Sequence, residues 1–392
     1  MNNKQLEKNI VKDYLFTFIS NLDLTRGIWM IYLASKGMSL ISLGILETIF
    51  HITSFSMEVP TGAVADIYGR RVSRILGRTL SVVATIMLLL SNHFWGYAIA
   101  FVITALSYNM ESGAGEALVY DSLKHLGQEK CFMKIRGKNE MFLQTGSVCA
   151  YLLGGYLATV SYNLTYVITI LIGGLAVLQS LTFTEPPIIS EEPEDQEGFF
   201  NQLKASVTLL RGNRRLIFLI LFSNFIFSFT TTIFFYLQNY MKNDGYSEFW
   251  IGGVYALSAI LAALMAPNVH NIEKVIQERG ILIIMPIILS ISTWGIALYK
   301  YHFVFYFPIV VAESMIFVAF GDYINRLIPS DKRATLLSMS SMVFSLYMIV
   351  LFPIVGFLGE TISLRGAFMV LAGVSSLFTL FNIRVISRNK SK

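Results

Sequence analysis

Long apolar runs separated by short polar stretches fill most of this sequence. A helix needs about 20 apolar residues to cross the hydrocarbon core of a bilayer, and runs of that length recur along the whole chain. They form two sets of six on either side of a strongly polar stretch. The predicted spans are residues 13–35, 39–63, 73–91, 95–120, 138–161, 163–183, 214–239, 247–267, 280–299, 302–326, 334–358 and 364–386. The pattern therefore predicts an all-α polytopic membrane protein with twelve transmembrane helices.

The polar stretch between the two sets divides the chain. Its sequence, TEPPIISEEPEDQEG, carries six acidic residues, three prolines and no basic residue, which is typical of a solvated linker. Apolar residues then recur at helical spacing from Phe199 to Leu210, as in a helix that lies along the membrane surface. We therefore predict an N-terminal six-helix bundle at 1–183, a cytoplasmic linker with an amphipathic helix at 184–213, and a C-terminal six-helix bundle at 214–392.

A weak internal sequence repeat indicates that the two bundles are related. The predicted fourth span has a Glu-Ser pair at Glu111 and an acid at Asp121, and the tenth span has the same pair at Glu313 and an acid at Asp322. Many transporters consist of two such related halves, with the substrate site between them at mid-membrane depth. The twelve helices are therefore expected to form two pseudo-symmetric bundles.

The distribution of basic residues predicts the orientation of the chain. The composition is 54% hydrophobic and only 14% charged, with a mean hydropathy of +0.60, too apolar for a soluble globular protein of this length. With both termini in the cytoplasm, 25 of the 30 Lys and Arg residues lie inside, four lie outside, and Arg26 falls within the first span. This bias predicts a multi-pass protein of the cell membrane with cytoplasmic termini. It also explains the net charge of +5 without nucleic-acid binding.

Other functional classes find little support in the sequence. Cys131 and Cys149 lie in different environments, and their spacing fits neither a disulfide nor a metal site. We recognise no nucleophile elbow, phosphate-binding loop or metal-ligand spacing. We therefore expect a monomer in the lipid bilayer that is not an enzyme and that uses no metal or cofactor, with the proton as its coupling ion.

Charged residues inside predicted spans are the candidate functional residues, because each costs at least about 2.5 to 3.5 kcal/mol to insert. In the first span, Asp23 and Arg26 are three residues apart and hence about 60° apart on a helix. They could pair with each other and only fix the position of the helix. Alternatively, Arg26 could supply a basic group to a central cavity.

The second span carries a polar stripe. Glu47, His51, Ser54 and Glu58 fall within about 60° of one another on a helix. His51 has the side chain whose ordinary pKa lies nearest physiological pH, so the stripe suggests a proton path at Glu47 and His51. The alternative is a hydrogen-bonded seam between helices, and for Glu58 we favour that structural role.

Two further acids lie deep in predicted spans. Glu111 in the fourth span is deeper than Glu116, which points about 140° away from it. Glu313 is the deep acid of the second half, whereas Asp322 and Arg326, four residues apart, are expected to form a local pair. The candidate acids outnumber the candidate bases, which favours protons or a cationic substrate.

A glycine-rich turn after the second span carries the clearest motif. The sequence PTGAVADIYGRR contains the pattern G-x-x-x-D-x-x-G-R-R, with Gly62, Asp66, Gly69 and Arg70 at its main positions. This turn resembles the loop motif of the major facilitator superfamily, and the helix count and central linker extend the resemblance over the whole chain. The resemblance implies that the glycine at Gly62 lets helices pack closely. It also implies that Asp66 pairs with a nearby base and with a helix N-terminus of the other half, so that these contacts gate access.

Two motifs of drug:proton antiporters within that superfamily are incomplete here. In the fourth span, alignment on Gly113 places Asn109 where those proteins usually have an arginine. In the fifth span Gly146, Gly154 and Gly155 remain, but Ala150 and Tyr151 replace a Gly-Pro pair. The sequences EVPTGAVAD and SGAGEALVYDSL are nevertheless similar to those of bacterial multidrug exporters.

The sequence therefore predicts a secondary transporter that works by alternating access. The expected activity is antiport of the multidrug efflux type: proton-coupled export of a small amphipathic compound or a lipophilic cation, with Glu111 or the Glu47 and His51 pair as proton carrier. Import of a small nutrient is the first alternative. A non-transporting membrane sensor is the second, although such proteins usually carry a sizeable soluble domain.

Overall fold

The computed structural model describes residues 3–187, 213–328 and 333–388. The predicted surface helix of the linker lies outside these residues. Within them the chain is helical, and the helices are numbered here in chain order. They are α1 (Asn3–Ser20), α2 (Trp29–Ser35), α3 (Leu40–Tyr68), α4 (Arg70–Leu90), α5 (Phe94–His125), α6 (Phe132–Val160), α7 (Tyr162–Leu181), α8 (Arg214–Asn243), α9 (Glu248–Met265), α10 (Val269–Leu298), α11 (Tyr306–Leu327), α12 (Arg333–Thr361) and α13 (Leu364–Arg388).

The helices account for the twelve predicted spans and confirm the fold class. Each of α3 to α13 corresponds to one span, and α1 and α2 together correspond to the first. Among the described residues, eight helical stretches are long and apolar enough to cross a membrane, with α9 and α10 joined in one of them. The helices α1, α2, α5 and α6 are not among these stretches.

The prediction of one continuous first helix at 13–35 is wrong. The chain leaves helical geometry after Ser20 and re-enters it at Trp29, so residues 21–28 form a non-helical segment. The sequence there, NLDLTRGI, contains residues that favour turns over helix, because short polar side chains compete for backbone hydrogen bonds. Asp23 does so here, since its Oδ1 accepts hydrogen bonds from the backbone N–H and the hydroxyl of Thr25, at 3.0 and 2.6 Å.

The chain packs into two compact units. Unit 1 consists of Met1–Met38, Ile45–Gln196 and Ser247–Ala256, and unit 2 consists of Ser39–Gly44, Glu197–Tyr246 and Leu257–Lys392. The first residues of α3 therefore pack in unit 2, and the first half of α9 packs in unit 1. Each unit is thus completed by a short segment from the opposite part of the sequence.

Close backbone contacts hold these exchanged segments. In unit 2, a Cβ at Gly44 would lie 2.9 Å from both the Phe352 carbonyl oxygen and the Tyr236 hydroxyl. In unit 1, a Cβ at Gly252 of α9 would overlap the Tyr151 carbonyl, and one at Gly155 would lie 2.6 Å from the Glu248 carbonyl oxygen. Glycine at these positions lets the helices approach this closely, as small residues do in membrane proteins.

Candidate functional site

A cluster of buried charges lies in unit 1 where α1, α4, α5 and α6 meet. The Arg74 Nη1 donates to Asp13 Oδ1 at 2.7 Å, and its Nε donates to Glu111 Oε1 at 3.0 Å. Asn139 Nδ2 donates to the second Asp13 oxygen at 2.9 Å. The side chains of Arg74 and Asp13 are only 3% and 4% exposed, and that of Glu111 is 18% exposed. We call Asp13, Arg74, Arg78, Glu111 and Asn139 the charge cluster.

Aromatic rings cover the cation of the charge cluster. The Arg74 guanidinium carbon lies 4.1 Å from the ring centre of Phe16 and 4.6 Å from that of Phe183. Cation–π contacts of this kind become stronger when water is excluded. A Cβ at Gly115 would lie 3.4 Å from the guanidinium carbon, so the small residues near Glu111 give Arg74 room. Glu111 is therefore placed as a counter-ion of Arg74.

A second polar group follows α3. His51 Nε2 lies 3.7 Å from Glu47 Oε2, and the two residues are only 6% and 7% exposed. One turn further, Ser54 Oγ donates to Asn109 Oδ1 at 2.7 Å, and Asn109 Nδ2 donates back to the Ser54 carbonyl at 2.7 Å. Glu47, His51 and Ser54 thus share the helix face predicted from their spacing. Asn109 joins α5 to α3, where the antiporter pattern has an arginine.

The non-helical segment 21–28 contains the other two predicted charges of unit 1. Arg26 is exposed on unit 1, whereas its neighbours Thr25 and Gly27 are buried. Because residues 23–26 are not helical, the predicted 60° angle between Asp23 and Arg26 is wrong, and Asp23 bonds to Thr25 instead. Irregular backbone at membrane depth persists only where protein covers it or where it lines a water-filled cavity.

The glycines of α6 provide the cover for this segment. A Cβ at Gly146 would lie 2.8 Å from the Phe18 carbonyl oxygen, and one at Gly154 would overlap the Leu24 carbonyl. Tyr151, between them, lies against Gly27, where a Cβ would be 3.1 Å from its ring. The α6 glycines retained from the antiporter pattern therefore pack against the break in the first span.

The turn motif lies at the junction of α3 and α4. Gly62 and Asp66 are inside α3, which continues to Tyr68, and Gly69 separates the helices with φ +99° and ψ 156°. Arg70 forms an ion pair with Asp66 and lies 3.7 Å from Asp121 of α5. The predicted pairing of Asp66 with a nearby base is thus present in unit 1. A Cβ at Gly62 would meet no atom within 4 Å in this structure.

Glu185 at the end of the first bundle completes this junction. Its two carboxylate oxygens accept hydrogen bonds from the backbone N–H groups of Arg70 and Arg71, at 2.6 and 2.7 Å. An acid at a helix N-terminus satisfies free N–H groups and complements the helix dipole. A Cβ on Gly69 would lie 2.8 Å from the Glu185 carboxyl carbon, so this glycine provides both the backbone angle and the space.

Unit 2 holds the remaining predicted acid. Glu313 of α11 is hydrogen-bonded to the side chain of Thr230 on α8, and Asp322 and Arg326 form the predicted local pair, with 2.5 Å between Oδ2 and Nη2. In α10, Gln277 has φ 60° and ψ 170°, close to the conformation of Gly69. The second half therefore keeps a comparable turn although its sequence lacks the motif.

Arg74, Arg78 and Glu185 are not among the site residues that the sequence predicts. Helix α4 begins at Arg70 rather than near residue 73, which places Arg74 and Arg78 one and two turns inside it. Their spacing of four residues was the available signal, because it puts both on one helix face. Glu185 gave no comparable signal, since it lies 115 residues from the backbone group that it binds.

Metal binding has no support in the described part of the chain. No group of three or more His, Cys, Asp or Glu residues there is arranged to hold a metal ion.

Comparison with known proteins assigns the chain to a class of polytopic secondary transporters. The sequence profile of the Major Facilitator Superfamily matches residues 15–311, and the chain belongs to that superfamily. It is 23% identical over 356 residues to the "Uncharacterized MFS-type transporter YxaM" of Bacillus subtilis (strain 168), covering 88% of this chain and 87% of that protein. Members of the superfamily are transporters rather than enzymes.

Solved structures share the fold at low sequence identity. A crystal structure of the nucleoside transporter NupG matches with a TM-score of 0.75 and 15% identity, covering 98% of this chain and 99% of that one. A crystal structure of a D-xylose-proton symporter matches with a TM-score of 0.74 and 13% identity, covering 96% of each chain. The chain is therefore a multi-pass membrane protein of the major facilitator fold.

Proposed function

We propose that this protein is a proton-coupled exporter of a small amphipathic or cationic compound, located in the cell membrane. The observation that carries the proposal is the buried Glu47 and His51 pair, with 3.7 Å between Oε2 and Nε2. An ionisable pair inside a membrane protein is expensive to maintain and usually serves a function. The proton binds this pair and leaves it on the opposite side of the membrane.

The charge cluster supports the choice of this pair over Glu111. Arg74 donates to Glu111 at 3.0 Å and to Asp13 at 2.7 Å, so Glu111 is already hydrogen-bonded to a permanent cation. Glu47 lies 3.7 Å from His51, whose charge depends on its protonation, rather than beside a permanently charged guanidinium. We therefore assign proton transfer to Glu47 and His51, and a structural role in gating to Glu111.

Acidic groups without a fixed cation suit a positively charged substrate. Glu313 is hydrogen-bonded to the neutral hydroxyl of Thr230, and about one turn away on the same two helices the rings of Phe227 and Phe317 lie 6.0 Å apart. Carboxylates and aromatic faces together attract lipophilic cations. This combination favours an amphipathic cation as the exported compound.

Ethidium transport tests the proposal. Proteoliposomes with an imposed proton gradient are expected to accumulate ethidium, and a protonophore should abolish the accumulation. Glu47→Gln removes the titrating carboxyl and is expected to lower gradient-driven uptake at least about tenfold. Glu116→Gln is the matched control, because Glu116 is exposed and pairs with Arg136 at 3.5 Å. Uptake by Glu47→Gln at the wild-type rate would exclude this carboxyl as the proton site.

Import of a small nutrient is a second candidate. The incomplete antiporter motifs favour it, since Asn109 and Tyr151 occupy positions of an arginine and a proline and bind other helices instead. The two solved structures that share the fold are those of a nucleoside transporter and a D-xylose-proton symporter. Import predicts that adding a nucleoside or xylose outside proteoliposomes moves protons inward, which a pH-sensitive dye inside them detects. Proton entry without ethidium transport would favour import over export as the function of this protein.

A further inference from the structure

Three arginines are spaced four residues apart along α4. Arg70 begins the helix at the turn motif, and Arg74 and Arg78 follow at one and two turns. Residues four apart lie on neighbouring positions of one helix face, separated by about 6 Å along the axis at 1.5 Å per residue. We call these three residues the arginine row. It leads from the turn motif into the membrane-spanning part of unit 1.

Acidic residues accompany the first two arginines of the row. Arg70 contacts Asp66 and Asp121, and Arg74 contacts Asp13 and Glu111. The acids come from α1, α3 and α5, so the row joins three helices to α4. Its first two members are thus paired in this structure.

Arg78 is placed differently. It interacts electrostatically with Glu111 and with Asp23 of the non-helical segment, and its guanidinium carbon lies 5.6 Å from the ring centre of Phe16. Its Nε is buried and has no hydrogen-bond partner. The last arginine of the row therefore lies near acids without making a hydrogen bond to them through this atom.

Glu111 also has one carboxylate oxygen without a hydrogen-bond partner. Its Oε1 accepts from Arg74, whereas its Oε2 is buried and has no hydrogen-bond partner. A buried donor or acceptor left unpaired is costly, and more so when the group is charged. The Glu111 carboxylate is thus hydrogen-bonded to Arg74, and one helical turn further along α4 lies Arg78, whose Nε has no hydrogen-bond partner. A small shift of α5 along α4 would exchange these partners.

We propose that Glu111 changes its partner from Arg74 to Arg78 when the junction of α3 and α4 opens. Arg78 is then a positioning residue, which stabilises the open junction by receiving Glu111. The exchange also places the carboxylate nearer Asp23, so movement at the turn motif reaches segment 21–28. Packed charge networks allow such a change because they have two discrete arrangements rather than a continuous range.

Hydrogen exchange of the purified full chain in nanodiscs tests the partner exchange. The peptide covering residues 60–73 reports how often the junction opens. Arg78→Gln removes the second partner of Glu111, so exchange in this peptide is expected to slow about fivefold. Arg74→Gln removes the first partner and is expected to speed it. In a Glu111→Gln background, Arg78→Gln should have no further effect, because the carboxylate that changes partner is then absent.

A purely structural role for Arg78 makes the opposite prediction. Loss of a buried cation that only stabilises packing would speed exchange in Arg78→Gln, as in Arg74→Gln, and would do so in both backgrounds. That result, or an unchanged rate in Arg78→Gln beside a faster one in Arg74→Gln, would overturn the proposal. Arg136→Gln is the matched control, since Arg136 is 39% exposed and pairs with Glu116 outside the row.

Two features keep this test decisive. If Arg78→Gln does not elute as a folded monodisperse protein, Arg78→Lys is measured, which retains a cation for Glu111 and is expected to keep the wild-type exchange rate. A change in Arg78→Lys as large as that in Arg74→Gln would contradict the proposal.

The inference rests on the proposed function only in requiring that the junction opens, and the measurement uses neither substrate nor proton gradient. Failure of ethidium transport therefore leaves it testable.

Discussion

Two residues with positive φ show how a single position can begin a helix. Gly69 has φ +99° and Gln277 has φ 60°, and each precedes the main part of a helix in its unit. At Gly69 the backbone carries no Cβ, and the Glu185 carboxylate occupies the space beside it. At Gln277 a full side chain adopts a conformation that non-glycine residues avoid. The same turn is therefore relaxed in one half and strained in the other.

Substitution of Gly69 by alanine is expected to destabilise the protein. The Cβ would meet the Glu185 carboxylate and would be held at an unfavourable φ, a combined cost of about 1–3 kcal/mol. Thermal unfolding in detergent should show a lower Tm, together with faster hydrogen exchange in the first turn of α4. Gly113→Ala is the matched control, because a Cβ there meets no atom within 4 Å. Equal Tm values for the two variants would show that the Gly69 contact does not matter.

The reverse change is expected to stabilise the second half. Gln277→Gly relieves the strain of a non-glycine residue at φ 60° and should add about 1 kcal/mol to the free energy of unfolding. Gln144→Gly, in the middle of α6, is the control and should lower stability by about 1 kcal/mol. Thermal unfolding of the two variants should shift in opposite directions. A decrease for both would mean that Gln277 makes a contact worth more than its strain.

The sequence predicts the residues of the turn motif but not all of their partners. Gly62, Asp66, Gly69 and Arg70 could be named because they follow one another at fixed short spacing. Glu185 could not, because its contact with the Arg70 backbone joins positions 115 residues apart. Long-range contacts of this kind depend on helix packing, which local patterns do not specify.

At the scale of elements, hydropathy predicts where helices lie but not where they break. The first span is apolar enough to be predicted as one helix, yet residues 21–28 are non-helical. Asn21, Asp23 and Gly27 lower the helical propensity of this segment, and the close fit of α6 against it decides the outcome. The predicted start of the third span, residue 73, is only three residues from the start of α4 at Arg70. The difference matters because Arg74 then lies within the helix and in the buried charge cluster.

Filling one glycine of α6 should disturb the break in the first span. A Cβ at Gly154 would overlap the Leu24 carbonyl, so Gly154→Val is expected to separate α6 from segment 21–28. We expect a loss of about 1–3 kcal/mol, as for other overpacking substitutions, and faster hydrogen exchange in residues 21–28.

Gly137→Val is the matched control for this substitution on the same helix, because a Cβ at Gly137 meets no atom within 4 Å. It introduces the same β-branched side chain and should leave residues 21–28 unchanged. Similar exchange of this segment in both variants would mean that the break does not depend on the α6 glycines.

At the scale of the whole molecule, the two units are not two independent lengths of chain. Unit 1 includes Ser247–Ala256 and unit 2 includes Ser39–Gly44. The symmetric helix pattern predicts two bundles divided at the linker, because hydropathy contains no information on which helix ends pack together. The exchanged segments depend on glycines whose partners lie far away in the sequence, such as Gly155 with Glu248.

Separate expression of the two parts should reveal this interdependence. A fragment ending at Gln196 lacks residues 247–256 of unit 1, and a fragment beginning at Glu197 lacks residues 39–44 of unit 2. Each fragment alone is expected to be unstable in detergent, and co-expression should restore a stable complex that elutes at the size of the full chain. Two fragments that are each as stable alone as in the complex would contradict this expectation.

The break in the first span also bears on how the protein enters the membrane during synthesis. A segment containing Asp23 and Arg26 inserts poorly by itself, because each such residue near a helix centre disfavours insertion by about 2.5 to 3.5 kcal/mol. The α6 glycines that cover it are synthesised more than 100 residues later. Until then, the first span lacks these contacts, and it is expected to reach its final arrangement only after α6 has been synthesised. The break in the first span thus makes its insertion depend on a later part of the chain.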